Sequence, residues 1–390
     1  VQAARYGKRL LWHKAKPHPG MARLWKELPL TPRSFYWPER ASLKVIYLLE
    51  DMVLAGGVHS VVQLVEALQR LGVAARIAYS SRSFETMTWE LKEPALYFPN
   101  RARMLADLPA CDVVVATFWK TASLARDLLR AGRARSAAYY VQDFEPWFYP
   151  ARARHLREQA LASYRLIEHR IVKSQWLLSL LAEHGFQAEK IPFGLDLNVF
   201  RPLLRPEDKA ENQETSEEIS ILAMARPETK RRGFSLLQNA LQIAHSRGLR
   251  ARITLFGSEG LVEADLPFPF KNRGVLSSQE EVAELYNSHQ IFLETSEFQG
   301  FGRTTMEAMA CGCCCLITDQ GGVSEYARNL ENCLTSPADD PEAFAEKLLQ
   351  LCDDAPLRQR LADKAKQTAR SFDLQQEARA TKAFLEQLVR

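Results

Sequence analysis

The sequence predicts an α/β protein built of two doubly wound, Rossmann-like halves facing a central cleft. Two observations carry this. Short apolar runs of strand length alternate with amphipathic helical stretches from residue 43 to 200, and the alternation restarts at 219 after a polar gap. Twice a strand runs into a glycine-bearing loop that opens a helix, at Gly56-Gly57 and at Gly300-Phe301-Gly302, the arrangement that lets backbone approach a phosphate. A length of 390 residues suits two or three domains of ~150 residues each.

Composition narrows the class. Charged and apolar fractions are those of a globular protein, and no run approaches ~18 consecutive apolar residues, so no membrane-spanning helix is expected. Neither an initiator Met nor an apolar signal segment opens the chain, as in a trimmed form or a piece of a longer protein. Residues 1–44 hold ten Lys/Arg against two acids, although the whole chain is only +4. The basic excess is therefore a local arm, not a nucleic-acid-binding domain. Four of the seven cysteines crowd into Cys311, Cys313, Cys314 and Cys315. Neighbours in a strand face opposite ways, so the run cannot turn all its thiols to one metal ion. Cys313–Thr318 reads as a buried strand with cysteine as a small hydrophobe, and free thiols suit a reducing cytoplasm.

The first 42 residues are basic and aromatic, and five prolines argue against one long helix. They read as an arm for an anionic membrane surface on the inner face, or as a strap on the domain. Leu43–Leu49 is the first strand, and Val58, Val61, Val62, Val65 and Leu68 share one helical face after the Gly56-Gly57 loop. Ala74–Tyr79, Asp112–Thr117, Ala137–Val141 and Ile171–Ser174 read as further strands. Gln142–Pro150 is an acidic, aromatic loop at a strand's C-terminal end, where open α/β sheets place ligands. Asp143 and Glu145 can hold ligand hydroxyls there, and Trp147, Phe148 and Tyr149 offer flat stacking faces. Leu203–Glu218 is polar and nearly free of apolar residues, a linker.

In the second half Ile219–Ala225 is a strand and Phe234–His245 a helix. The loop between them carries Arg226, Lys230, Arg231 and Arg232, four cations best explained by phosphate. Arg252–Gly257 and Gly274–Leu276 read as strands, and Ser278 with Glu281 forms a capping box. Gln290–Thr295 is a buried strand, Ser296–Gly302 a turn, Arg303–Cys311 a helix and Gly312 its stop. Free amides at that helix start suit a diphosphate. Glu307, leaning back towards the N-terminus, suits the paired hydroxyls of a ribose. Asp340-Pro341 opens the first of three closing helices.

The run Gln299 to Gly312, QGFGRTTMEAMACG, resembles the signature of group 1 (family 4) glycosyltransferases, proteins of GT-B fold. Their pattern is Glu, seven residues, Glu. The second position is Glu307; the first, which contacts the donor sugar, is Gln299. Gly56-Gly57-Val58 resembles the family's first-loop Gly-Gly-Val, Ile191–Pro202 its interdomain crossover, and Asp319–Glu325 its Gly-Gly-x-x-Glu loop. Arg226 matches the family's Arg after the strand, and Arg232 stands where it has Lys; together these clamp the donor diphosphate. Gln142-Asp143 replaces a common His-Asp pair, and YYVQDFEP resembles rhamnosyltransferases of the WsaF type.

The resemblance implies a nucleotide-sugar-dependent, metal-independent glycosyltransferase in bacterial surface polysaccharide assembly, retaining anomeric configuration. The donor is a nucleotide-diphospho-sugar, dTDP-L-rhamnose by the subtype, with UDP-hexoses and GDP-mannose open; the acceptor is a glycan or lipid-linked sugar. Arg226, Arg232 and Glu307 are the implied catalytic groups. Gly56, Gly57, Arg231, Val275, Leu276, Gln299, Gly300, Phe301, Gly302, Arg303, Thr304 and Glu307 are the implied donor contacts. Gln142, Asp143 and Glu145 are the implied acceptor contacts, and no metal ligands are expected. The expected domains are an arm (1–42), an acceptor domain (43–200), a linker (201–218), a donor domain (219–372) and a helix crossing back (373–390). An epimerase or hydrolase of the same fold, and a non-catalytic binding domain, are the competing readings.

Overall fold

The computed structural model describes residues 35, 37–38, 42–53, 55–81, 91–203, 218–262, 265–276 and 278–390. The expected arm up to residue 34 and the linker segment 204–217 lie outside the described residues.

The described residues of the first domain alternate strand and helix except at β2 and β3, which follow one another: β1 (Lys44–Leu49), α1 (Gly56–Arg70), β2 (Ala74–Tyr79), β3 (Leu96–Tyr97), α2 (Arg101–Asp107), β4 (Cys111–Ala116), α3 (Trp119–Arg130), β5 (Ala134–Tyr140), α4 (Arg154–Ser163), β6 (His169–Val172), α5 (Gln175–Glu183) and β7 (Glu189–Lys190). All its pairings are parallel, in the order β3-β2-β1-β4-β5-β6-β7. Parallel strands need covered faces, and β1 shows it: Val45, Tyr47 and Leu49 enter one core cluster, Ile46 and Leu48 the opposite one.

The second domain repeats the plan with β8 (Ile219–Met224), α6 (Phe234–Ser246), β9 (Ala251–Phe256), β10 (Lys271–Asn272), α7 (Gln279–Asn287), β11 (Ile291–Glu294), α8 (Arg303–Cys311), β12 (Cys314–Thr318), β13 (Leu334–Ser336), α9 (Pro341–Asp353), α10 (Ala355–Ala369) and α11 (Leu374–Gln387). Its sheet runs β10-β9-β8-β11-β12-β13, the doubly wound order whose strand reversal opens a ligand crevice beyond β8 and β11. Cys314 packs on one face of this sheet, Cys313 and Cys315 on the other. Among the described residues no group of three or more His, Cys, Asp or Glu is placed to hold a metal ion, and no helix is long and apolar enough to cross a membrane.

One sequence assignment shifts. Gly274–Leu276 is not a strand; β10 ends at Asn272. Gly274 has φ +64, and Asn272 Oδ1 accepts its N–H at 3.0 Å; its carbonyl still accepts the Gly257 N–H at 2.8 Å, and beyond it the chain leaves the sheet edge.

The two passages between domains meet. Leu195 N–H donates to Phe372 O at 2.9 Å, and Leu374 N–H donates to Leu195 O at 3.1 Å. A Cβ on Gly194 would stand 2.5 Å from Leu374 Cα, so only glycine admits the contact. Helix α11 then joins the core of the first domain through Leu374, Ala378, Phe384 and Leu385. Its Glu377, buried with Lys173 in an ion pair, also accepts the Gly194 N–H at 2.6 Å.

Candidate active site

A cavity opens between the domains, lined from the first by Ala55, Gly56 and His59 and from the second by the loops beyond β8 and β11. Two helix N-termini face it. Helix α1 starts at Gly56 with neither a side-chain cap nor an acid in its first turn. Helix α8 starts after Gly302, which sits at φ +92, likewise without cap or acid. Uncapped first-turn amides are free for an anion.

The cationic loop is pressed onto the loop after β11. Gly233 has φ +67, and a Cβ there would lie 1.6 Å from Thr295 O. Glycine thus lets the two loops touch, and Glu297 N–H donates to Arg231 O at 2.8 Å. Arg226 lines the cavity with a buried Nε that has no hydrogen-bond partner. Burial, then the neighbouring Arg232, lowers its pKa. Arg232 lines the same cavity and donates to Gln299 Oε1 at 2.8 Å. Thr304 lines it and donates to Glu294 Oε2 at 2.6 Å. Val275 and Leu276 line its far side, and the Val275 N–H donates to Glu259 at 2.8 Å.

Glu307 is buried in the cavity wall, where burial raises its pKa and Arg303 opposes the shift. Arg303 Nε donates to its Oε1 at 2.5 Å and Tyr286 Oη to its Oε2 at 3.3 Å. Arg303 also crosses the cleft to Ser60 Oγ at 3.2 Å, and its Nη2 is buried without a partner. His59 lies beside it, its pKa pushed far down by burial and by that guanidinium.

Several sequence-derived site residues do not line the cavity, Arg231, Phe301 and Glu145 among them. Arg231 does not line the cavity; it reaches over to Asp143 at 3.2 Å, with its guanidinium 4.3 Å from the Phe148 ring. The donor candidate and the acceptor candidate thus pair with each other. Phe301 stacks on Phe193 at 4.4 Å and meets Tyr326 and Phe372; its apolar ring belongs to the core under the crossover. Glu145 is 2 % exposed and accepts from Trp119 N–H at 2.6 Å and Tyr139 Oη at 2.9 Å. Burial lifts its carboxyl to about 8, and it braces the loop rather than facing the cleft.

Gly300 is the pinch between domains. Its carbonyl accepts from Ser174 Oγ at 2.6 Å, and a Cβ on it would meet Gln142 O at 2.1 Å. Burial raises the pKa of Asp143, opposed by Arg231, then Arg232, then the Phe144 and Gly300 N–H groups. The Gln142 amide lies over Gly57, 3.4 Å from where a Cβ would stand. Of the aromatic candidates, Phe148 is covered by Arg231, Tyr149 accepts from Trp119 Nε1 at 2.9 Å, and Trp147 is 37 % exposed.

Sequence reasoning missed His59, Ser60, Ser174, Tyr286 and Glu294. Only Glu294 carries a signal in the chain, a carboxylate closing an apolar strand. The others are brought in by the cleft.

Two parallel Rossmann-like domains with a cleft between them define the GT-B class. Anabaena Alr3699/HepE in complex with UDP and glucose superposes with a TM-score of 0.74 at 17% identity, over 89% of this chain and 100% of that one. Sucrose-phosphate synthase from Thermosynechococcus elongatus gives 0.70 at 20%, over 88% and 99%; at such identities the likeness is one of fold. Residues 205–368 match the family described as "Glycosyl transferases group 1", and the structural neighbours are GT-B glycosyltransferases in fold. The chain is 27% identical over 270 residues to the O-antigen biosynthesis protein RfbC of Myxococcus xanthus, covering 68% of this chain and 20% of that protein. It is 34% identical over 112 residues to the lipopolysaccharide core biosynthesis mannosyltransferase LpsB of Rhizobium meliloti, covering 28% and 32%. The matches thus span about a fifth to a third of the length of these curated relatives.

Proposed function

We propose that the chain transfers a sugar from a nucleotide-diphospho-sugar to a glycan or lipid-linked acceptor in surface polysaccharide assembly. The observation that carries this is the buried Arg226 Nε, unpartnered in the wall of a cavity that two uncapped helix starts also face. An unpaired buried donor is costly unless a ligand completes it. Cleavage of the glycosyl bond leaves negative charge on the nucleotide diphosphate. Arg226, Arg232 and the first-turn amides of α8 stabilise that charge, the electrostatic contribution that dominates in such reactions. With these cations in place no metal is needed. Glu307 accepts pentose hydroxyls, Val275 and Leu276 flank the base, and Gly56-Gly57 lets the sugar approach the first domain. Gln142 and Asp143 stand on the acceptor side.

The finer reading is a retaining transferase of L-rhamnose from dTDP-L-rhamnose, cytoplasmic and peripheral to the membrane through its basic arm. It rests on the resemblance of residues 139–146 and 299–303 alone. A thermal-shift panel of dTDP-L-rhamnose, UDP-glucose and GDP-mannose tests both levels, because a ligand bound only by the native state raises Tm. A shift with any of them supports the donor site. dTDP-L-rhamnose shifting no more than UDP-glucose removes the rhamnose reading, and no shift with any nucleotide sugar removes the transferase reading.

A further inference from the structure

Gln299 stands where the resembled family carries a glutamate, and its surroundings fix which way its amide faces. The residue is 6 % exposed and lines the cavity. Arg232 Nη1 lies 2.8 Å from its Oε1. A guanidinium has donors and no acceptor, so the amide atom that meets it must be the oxygen. Nε2 is therefore turned away from Arg232. It is buried and has no hydrogen-bond partner. Arg226 Nε lines the same cavity in the same condition. The nearby buried carboxylate, Glu294, is already engaged by Ser296 N–H and Oγ at 3.1 and 2.6 Å and by Thr304 Oγ1 at 2.6 Å. The side chains at this end of the cavity are thus set to donate.

We propose that Gln299 donates its amide N–H to a proton-free oxygen of the departing diphosphate, held in that orientation by Arg232, and does not accept hydroxyls of the transferred sugar. The proposal rests on the nucleotide-sugar reading above. Its physical basis is charge. A carboxylate at 299 would form an ion pair with Arg232 and cancel the positive charge that a phosphate needs. The neutral amide orients Arg232 through its oxygen and leaves that charge intact. Gln299 is then one of three side chains, with Arg226 and Arg232, that address the leaving group, and recognition of the sugar falls to other residues.

The test titrates UDP, GDP, ADP and dTDP, and the four monophosphates, calorimetrically into wild type, Gln299→Glu and Gln299→Met, with Tm recorded for each. Wild type is expected to bind at least one diphosphate. Gln299→Glu should weaken that binding at least about 10-fold, while the matching monophosphate changes by less than about 3-fold. Gln299→Met, which removes the donor without adding charge, should weaken diphosphate binding about 3- to 10-fold. A purely structural role would move mono- and diphosphate alike. Gln299→Glu holding the diphosphate as tightly as wild type overturns the proposal. If that variant does not fold, unchanged diphosphate affinity in Gln299→Met overturns it equally. A wild type that binds none of the four diphosphates overturns the nucleotide-sugar reading and this inference with it; binding by wild type with unaffected variants overturns the inference alone.

Discussion

Gly300→Ala is the cleanest probe of the cleft. Gly300 is absent from the positive-φ glycines, so alanine brings no backbone strain, and everything the substitution does comes from the added methyl. That methyl would stand 2.1 Å from Gln142 O and 2.9 Å from Asp143 Cα, both in the opposite domain. An ordinary van der Waals contact starts at 3.4 Å, so the facing backbones must part by about 1.3 Å; a misplacement of roughly 1 Å costs on the order of 100-fold in rate. The first domain keeps its sheet and the second keeps Arg226, Arg232 and Glu307, because none of these depends on the pinch. Turnover, followed by release of nucleoside diphosphate, should therefore fall about 100-fold, with donor affinity changed far less and Tm lowered by no more than about 4 °C. Gly260→Ala is the control, since a Cβ there meets nothing nearer than 4.0 Å, and it should leave turnover unchanged. Wild-type turnover in Gly300→Ala would refute the claim that catalysis requires this close apposition.

Arg226→Ala should lower turnover by at least ~100-fold while Tm stays or rises, because a buried nitrogen without a partner is removed; a variant that keeps its turnover would end the phosphate-clamp assignment. Glu377→Ala strands Lys173, only 3 % exposed, and should cost about 3–5 kcal/mol in a denaturant titration, whereas Lys173→Met with Glu377→Leu should recover much of that loss. Glu145 is raised from 4.5 to about 8, so the folded state holds its proton where the unfolded state has lost it. Stability falls between those two values as pH rises. Glu145→Gln keeps an oxygen for Trp119 and Tyr139, and its Tm advantage over wild type should grow from pH 5 to pH 8; a constant difference across that range would show that burial does not govern this carboxyl.

The fold was legible because its signals are local and redundant. The β11–α8 stretch shows this most clearly: an apolar run, a turn with Gly300 and Gly302, the helix Arg303–Cys311, and Gly312 at φ +93 ending it. The cysteine run was readable for the same reason, since alternation along β12 fixes which thiol meets which face. The segment at 274–276 was not, because two-residue pairing on an edge strand leaves no period to count, and a left-handed Gly274 decides where it stops.

The site was legible only as far as one chain segment decides its own surroundings. Arg226 and Arg232 follow a strand and precede a helix, and the sheet order alone carries them to the crevice. Arg231, next in line, cannot follow them: the short 3-10 turn Lys230–Arg232 points it away, and Asp143 with the Phe148 face receives it across the cleft. Glu145 and Phe301 failed for the opposite reason. Their types, an acid in a sugar-like loop and an aromatic between glycines, suggested exposure, but burial was set by partners far along the chain, Tyr139 and Trp119 for one and Phe193 and Phe372 for the other. Composition cannot report a contact that forms only when two domains close. Two of the closest approaches here run backbone to backbone, at Gly194 against Leu374 and Gly300 against Gln142. Glycines that look interchangeable in the sequence therefore set how near the two halves of the reaction can come.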